Sequence, residues 1–313
     1  MNKITVIGTG SVGSTIAYTL TVMGIASEVV MIDINGEKAL GEALDIRQGG
    51  LFCNPANVFA GSYADAEGSD IVVITSGVAR KPGQSRLDLA QINVNILKSV
   101  TENIVKYAPD AIYVIVSNPV DVLTYAFHKF SGIPEERIIG SGTLLDTARL
   151  RARIAEYYSI NQANVHAYIL GEHGDSAFVP WSLANISNVP VADYGKSLKD
   201  DSLRPEFDQD AIEDYVRKSG GRVIKRKGAT FYAVSMSVCH ICKCLLSGVD
   251  TTMTVSTMLH GEYGVDDVCL SLLNVGGSKG AHTKIMLPLN EKEIADLHKS
   301  ADSLKAIINS IEF

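Results

Sequence analysis

The sequence predicts an α/β protein, with a doubly wound parallel sheet in its N-terminal half and a mixed α+β domain after it. Three observations carry this expectation. Short apolar runs and amphipathic stretches alternate strictly over the first 140 residues, a glycine-rich turn follows the first apolar run directly, and the alternation gives way to long helical patterns after about Gly142. Strand and helix in strict alternation imply parallel strands joined by right-handed crossovers.

In chain order, residues 3–8, 28–33, 70–74 and 111–116 read as buried strands, rich in Val and Ile and closed by Gly, Ser, Asn or Asp. Between them, residues 12–23, 37–48, 87–107 and 120–130 carry helical periodicity. The second half reads as helices at 145–158, 211–246 and 291–311, with strands at 165–170, 252–259 and 268–274. No repeat or low-complexity linker separates the halves, so domains at 1–142 and 143–313 are expected to pack closely around a cleft.

With 313 residues and 46% hydrophobic content, the chain can fill a sizeable core. Its net charge of -7, from 28 basic and 35 acidic residues, offers no footprint for nucleic acid or an anionic membrane. Any anion it binds must be met by local charge. No apolar run is long enough to span a bilayer, and a first strand at Lys3 leaves no room for a signal peptide, so a cytoplasmic protein is expected. The five cysteines read as reduced thiols. Cys239, Cys242 and Cys244 surround His240, yet they fall in a helical pattern where cysteine serves as a small apolar residue, so no metal site is expected.

Gly8-Thr9-Gly10-Ser11-Val12-Gly13 closes the first strand and opens the first helix. In such a turn Gly8 makes the bend, Gly10 lets a pyrophosphate approach the backbone, and Gly13 allows close helix packing, while the N-H groups at Ser11 and Val12 begin an anion-binding helix terminus. Asp33 ends the second strand, where a carboxylate accepts the ribose hydroxyls and repels a 2′-phosphate. The pair points to NAD as cofactor.

His173 lies just past a predicted strand, between Gly171 and Gly174, and Asp146 and Arg149 stand one helical turn apart. Reducing a ketone requires a positioned proton donor. A carboxylate against an imidazole raises its pKa and fixes its tautomer, and an arginine can hold a substrate carboxylate bidentately.

The strings GTGSVG, SNPVD (117–121), GSGTLLDTAR (140–149), GEHGDS (171–176) and KGAT (227–230) occur here in one order over nearly the whole chain. In this the sequence resembles the L-lactate and malate dehydrogenase family, whose N-terminal half is a Rossmann fold and whose C-terminal half is catalytic. The resemblance implies that His173 is the acid/base, Asp146 its orienting partner and Arg149 the substrate carboxylate clamp. It further implies Asn118 near the nicotinamide and substrate oxygen, Ser141 at the carboxamide side of the cofactor, and Thr230 at the substrate. Residues 76–89 become a lid in which Arg86 polarises the carbonyl.

Within the family, the lid position of Arg80 reads the substrate side chain: glutamine is usual for lactate enzymes and arginine for malate enzymes. A buried guanidinium left unpaired by the pyruvate methyl would cost roughly 3 to 5 kcal/mol. Glu172, the Val-Pro-Trp-Ser at 179–182 and Thr230 instead resemble the bacterial lactate branch, which is the expectation here if Arg80 turns to water. A malate dehydrogenase remains the alternative. A non-catalytic NAD-binding protein is disfavoured because the whole catalytic set is present.

Arg151 and His166 match positions that bind fructose 1,6-bisphosphate at a subunit interface of regulated bacterial lactate dehydrogenases. An effector that prefers the assembled state would activate by stabilising it. The resemblance implies a homotetramer, and the absence of an N-terminal arm before the first strand favours ligand-assisted assembly.

Overall fold

The computed structural model describes residues 2–79, 86–200 and 207–313, with Arg86 described by its backbone alone. The elements run β1 (Lys3–Ile7), α1 (Ser11–Val22), β2 (Glu28–Ile32), α2 (Gly36–Gln48), β3 (Asn57–Ala60), β4 (Ile71–Ile74), α3 (Arg86–Ile104), β5 (Ile112–Ile115), α4 (Val120–Ser131), β6 (Ile138–Gly140) and α5 (Leu144–Tyr158). They continue as β7 (Val165–His166), β8 (Asn185–Ile186), β9 (Val189–Pro190), α6 (Val191–Ser197), α7 (Gln209–Arg217), α8 (Ser219–Lys227), α9 (Tyr232–Leu245), β10 (Thr251–Glu262), β11 (Val265–Gly277), β12 (Gly280–Lys284) and α10 (Glu291–Ile308).

The parallel strands stand in the order β6-β5-β4-β1-β2-β3, and the reversal between β4 and β1 is where a doubly wound sheet opens a crevice at its carboxyl edge. Successive residues of each strand face opposite sides. Ile71 and Val73 join α1 and α9 in one core, while Val72 and Ile74 join α3, α4 and α10 in the other. Burial on both faces explains why these strands read as continuous apolar runs.

The sheet does not stop at β6. Ser256 of β10 pairs antiparallel with Gly140, and β10, β11 and β12 extend the sheet to nine strands. The second half therefore shares the first half's sheet. A third apolar cluster, around α5, the small sheet β7-β8-β9 and α7, packs beside it.

Two expected elements differ. Of the strand expected at 165–170, only Val165 and His166 pair as one. The Ile169 N-H donates to the Thr147 hydroxyl and its carbonyl accepts from Thr143, so helix α5 supplies the partners a neighbouring strand would have given. The helix expected at 211–246 is three helices: α7 gives way to α8 at Lys218, and Gly228, at φ 85°, ends α8. Cys239, Cys242 and Cys244 are buried on α9, where the Cys239 thiol meets the Ile16 carbonyl of α1 at 3.7 Å. No described helix is long and apolar enough to cross a membrane.

Candidate active site

Every residue expected to meet the cofactor follows the carboxyl end of a parallel strand: the glycine loop after β1, Asp33 after β2, Asn118 after β5 and Ser141 after β6. Gly8 has φ 95°, and a Cβ there would lie 2.7 Å from the Ser76 nitrogen. A Cβ on Gly13 would collide with the Gly8 carbonyl, so both glycines are demanded by the protein's own packing. Gly10 differs. Its backbone is ordinary, and a Cβ there would meet nothing within 4 Å. It is the open face of the loop.

Gly10 caps α1 without a side-chain hydrogen bond, so no cap occupies the helix N-terminus that an anion would use. Asp33 accepts from the Thr9 N-H at 2.6 Å and hydroxyl at 3.1 Å, and from the Asn35 N-H at 2.9 Å. Burial acts to raise its pKa, but these bonds and Lys38 outweigh it and hold the carboxyl below its usual value. Asp33 thus caps the loop and, with three of its roughly four lone-pair sites used, keeps one on Oδ1 for a ribose hydroxyl. An open Gly10, an uncapped helix and an ionised Asp33 fit a dinucleotide.

A cavity of about 450 Å³ adjoins the loop at Val12 and is walled by Asn118, Asp146, Arg149, His173 and Thr230. Its centre is one carboxylate. Asp146 Oδ2 lies 2.5 Å from His173 Nδ1, and Oδ1 accepts from Arg149 Nη1 at 2.8 Å. Both Asp146 and Arg149 rise from α5, three residues apart, while His173 comes from the turn after Leu170. Gly171, at φ 90°, bends that turn, and a Cβ there would crowd the Ser300 hydroxyl at 2.7 Å.

Burial alone would lower the His173 pKa. The Asp146 charge and hydrogen bond, with help from Asp121, overcome burial and the repulsion of Arg149, and push it up to about 9. Asp146 moves the other way: burial opposes ionisation, and His173 and Arg149 reverse that. The imidazole is therefore protonated at neutral pH, with Nδ1 committed to Asp146 and Nε2 left to carry the exchangeable proton.

Two family models cover this chain: the lactate/malate dehydrogenase NAD binding domain matches residues 2–140, and the lactate/malate dehydrogenase alpha/beta C-terminal domain matches 143–312. The chain belongs to the lactate/malate dehydrogenase family. Among its relatives, an L-lactate dehydrogenase of Clostridium botulinum (strain Hall) is 45% identical over 311 residues, covering 98% of this chain and 96% of that protein. One from Acetivibrio thermocellus is 43% identical over 312 residues, 100% of this chain and 98% of its own length. The crystal structure of a minor L-lactate dehydrogenase from Enterococcus mundtii, in a ligand-bound form, superposes with a TM-score of 0.94 at 37% identity, covering 100% of this chain and 99% of that one. As in that family, the N-terminal half is an NAD-binding domain and the cofactor is NAD.

Not every expected site residue joins the cavity. Arg80 and the side chain of Arg86 lie outside the described residues. Ser141 stands beyond the cavity walls, its N-H donating to the Ile115 carbonyl at 2.8 Å. Arg151, half-buried on α5, and His166, exposed on β7, lie apart from the cavity on elements that pack against each other. Glu172 is buried beneath the His173 turn, accepting from the Ser176 hydroxyl, with its own N-H on Ser300 Oγ at 2.7 Å. Its place is structural. Trp181 donates to Glu213 at 2.5 Å and Ser182 binds Glu293, so that segment ties α7 and α10 to the site.

Two positioning residues have no sequence-level role above. Asp121, in the SNPVD string, is buried on α4 and its Oδ2 accepts the His173 backbone N-H at 2.8 Å. Burial raises its pKa to about 6, against the pull of Ser256 and His173. Asn93, buried on α3, accepts from the Val78 N-H at 2.8 Å and donates to the Asn118 carbonyl at 2.7 Å. It fastens the root of the segment after β4 to the residue expected at the nicotinamide. A polar residue on an otherwise apolar helix face was the available signal.

Proposed function

We propose that this chain is an NAD-dependent L-lactate dehydrogenase that interconverts pyruvate and L-lactate. The observation that carries the reading is Asp146, held between His173 and Arg149 at the wall of a cavity that adjoins the glycine loop. When bound, NADH supplies the hydride that the ketone carbon accepts. His173 gives its Nε2 proton to the carbonyl oxygen, which leaves a neutral imidazole on Asp146. Asp146 stays ionised and keeps Nδ1 protonated, so the ring presents the correct nitrogen.

Arg149 spends one N-H on Asp146 and keeps a fork of donors for the substrate carboxylate. Arg86 polarises the carbonyl as the lid excludes water, with Asn118 and Thr230 lining the substrate space and Ser141 at the cofactor carboxamide. Residues 1–142 bind the cofactor and 143–313 carry the proton donor and clamp. The free cysteines fit a reducing cytoplasm.

The full-length relatives named L-lactate dehydrogenase support lactate. Arg80 favours a second reading, malate dehydrogenase with the same machinery. Steady-state NADH oxidation with pyruvate and with oxaloacetate separates them: pyruvate is the expected preference, and a strong preference for oxaloacetate would replace lactate by malate. In an Arg80→Gln variant, oxaloacetate turnover is expected to fall tenfold or more while pyruvate turnover holds.

The reading extends to regulation. Arg151 and His166, paired across a two-fold axis of a homotetramer, would form an electropositive site for fructose 1,6-bisphosphate. The expected result is a left-shifted pyruvate saturation curve and a larger sedimenting species when the bisphosphate is added. No change in either removes the effector from the account.

A further inference from the structure

The chain is acidic overall, yet residues 217–227 hold six cations and no carboxylate. Five of them, Arg217, Lys218, Arg222, Lys225 and Arg226, line a shallow trough with Gly221 on the outer side of α7 and α8. Arg217 and Gly221 also line the active-site cavity, as does Ile224, which is 50% exposed. The trough therefore opens beside the cavity mouth.

The cations are unequally compensated. Arg217 faces Glu213 at 3.5 Å and Lys218 meets Asp214 at 2.6 Å. Arg222 forms no ion pair, although its charge helps lower the Asp214 pKa; its guanidinium lies 4.1 Å over the Tyr215 ring and donates to the Tyr215 carbonyl at 2.8 Å. Arg226 donates to the Arg222 carbonyl at 2.9 Å. Among the described residues, no carboxylate forms an ion pair with Arg222, Lys225 or Arg226.

Helix stability accounts for only part of this pattern: Lys225, Arg226 and Lys227 stand in the last turn of α8, where cations favour the helix dipole, and Arg222 does not. Arg222 stands three and four residues from Lys225 and Arg226, spacings at which like charges repel on a helix. Helix α8 also buries no side chain and begins with Gly220 and Gly221 in its first turn. Arg222 thus sets like charge against Lys225 and Arg226, and the cations stand together beside the cavity mouth.

We propose that the basic face of α7 and α8 is an anion vestibule that gathers the carboxylate substrate at the cavity mouth before Arg149 takes it. The proposal rests on a 2-keto acid being the substrate. A concave stretch of one sign raises the local concentration and encounter rate of the opposite charge, and salt removes the effect as the Debye length falls from about 10 Å at 0.1 M to about 3 Å at 1 M.

The test compares wild type with Lys225→Glu/Arg226→Glu at saturating NADH, over sodium chloride from about 0.02 to 0.5 M. At low salt kcat/KM for pyruvate is expected to fall about 5- to 10-fold in the variant through KM, with kcat held, and the two proteins converge at high salt. Methyl pyruvate, which has no charge, should show no difference. Lys225→Arg/Arg226→Lys should behave as wild type. Equal kcat/KM at low salt overturns the vestibule, as does a deficit that persists at high salt or with methyl pyruvate. If wild type turns over oxaloacetate and not pyruvate, the lactate reading fails, and the same comparison run with oxaloacetate still decides the vestibule.

Discussion

Asp146 binds His173 through one carboxylate oxygen, at 2.5 Å, and leaves the other to Arg149. A single side chain thereby raises the His173 pKa and fixes the orientation of Arg149. Because both of its oxygens are committed, changing its charge must disturb both partners.

Asp146→Asn removes the charge that overcomes the effect of burial on His173. Its pKa should then drop below neutrality, and kcat/KM for pyruvate at pH 7 should fall about 10²- to 10⁴-fold. A pH-rate profile is the discriminating measurement. An alkaline limb that stays where wild type has it would show that Asp146 does not set the His173 pKa.

In wild type, His173 is raised from 6.5 to about 9. If pyruvate reduction draws its proton from this ring as proposed, its kcat/KM should be level through neutral pH and decline above about 9, while lactate oxidation rises through the same range. The stability contribution has the same sense: a histidine whose folded pKa is raised stabilises fully below its unfolded value and loses that contribution as pH climbs through about 9. Thermal melts across pH 7 to 10 would record it.

Asp121 works in the same sense over a more acidic window. Its folded pKa of about 6 exceeds the ordinary 3.8, so the folded state takes up a proton between those values and stability falls as pH rises through that window, on the order of 3 kcal/mol. Asp121→Asn should flatten the urea stability difference between pH 4 and pH 7. It should also lower the His173 pKa, since the Asp121 charge helps hold it up. An unchanged pH dependence would mean that Asp121 is not the group responsible.

Gly10 and Gly13 should respond differently to alanine. Gly10→Ala meets nothing within the protein, so its melting temperature should match wild type while NADH affinity, read by fluorescence titration, falls tenfold or more. Gly13→Ala forces the loop away from α1 and should lose stability as well as cofactor. Equal NADH affinity in Gly10→Ala would place the pyrophosphate elsewhere.

Local chemistry made much of this legible in the sequence. The strands buried on both faces announced themselves as apolar runs, and the glycine loop, Asp33, Asp146, Arg149 and His173 sit in strings whose spacing carries their geometry. What escaped depends on contacts across the chain. Asp121 reaches the His173 amide across 52 residues, and Asn93 joins Val78 to Asn118, pairings that no periodicity encodes. The short strands β3, β6 and β12 escaped because a neighbour's edge, more than their own composition, makes them strands. The break of 211–246 was misread because an amphipathic pattern can continue across a glycine that ends the helix.

The pairing of Gly140 with Ser256 has a mechanical consequence. Where two halves of an enzyme are joined by a hinge, the reactants can be brought together by swinging one half onto the other. Here the joint is a ladder of strands, and Gly142 lies so close to β10 that a Cβ would sit 2.7 Å from the Ser256 nitrogen. The glycine loop and His173 are thus held in one frame before any substrate arrives. Closure must come from pieces hung on that frame, and mutations that loosen it should slow the chemistry without opening the site any wider.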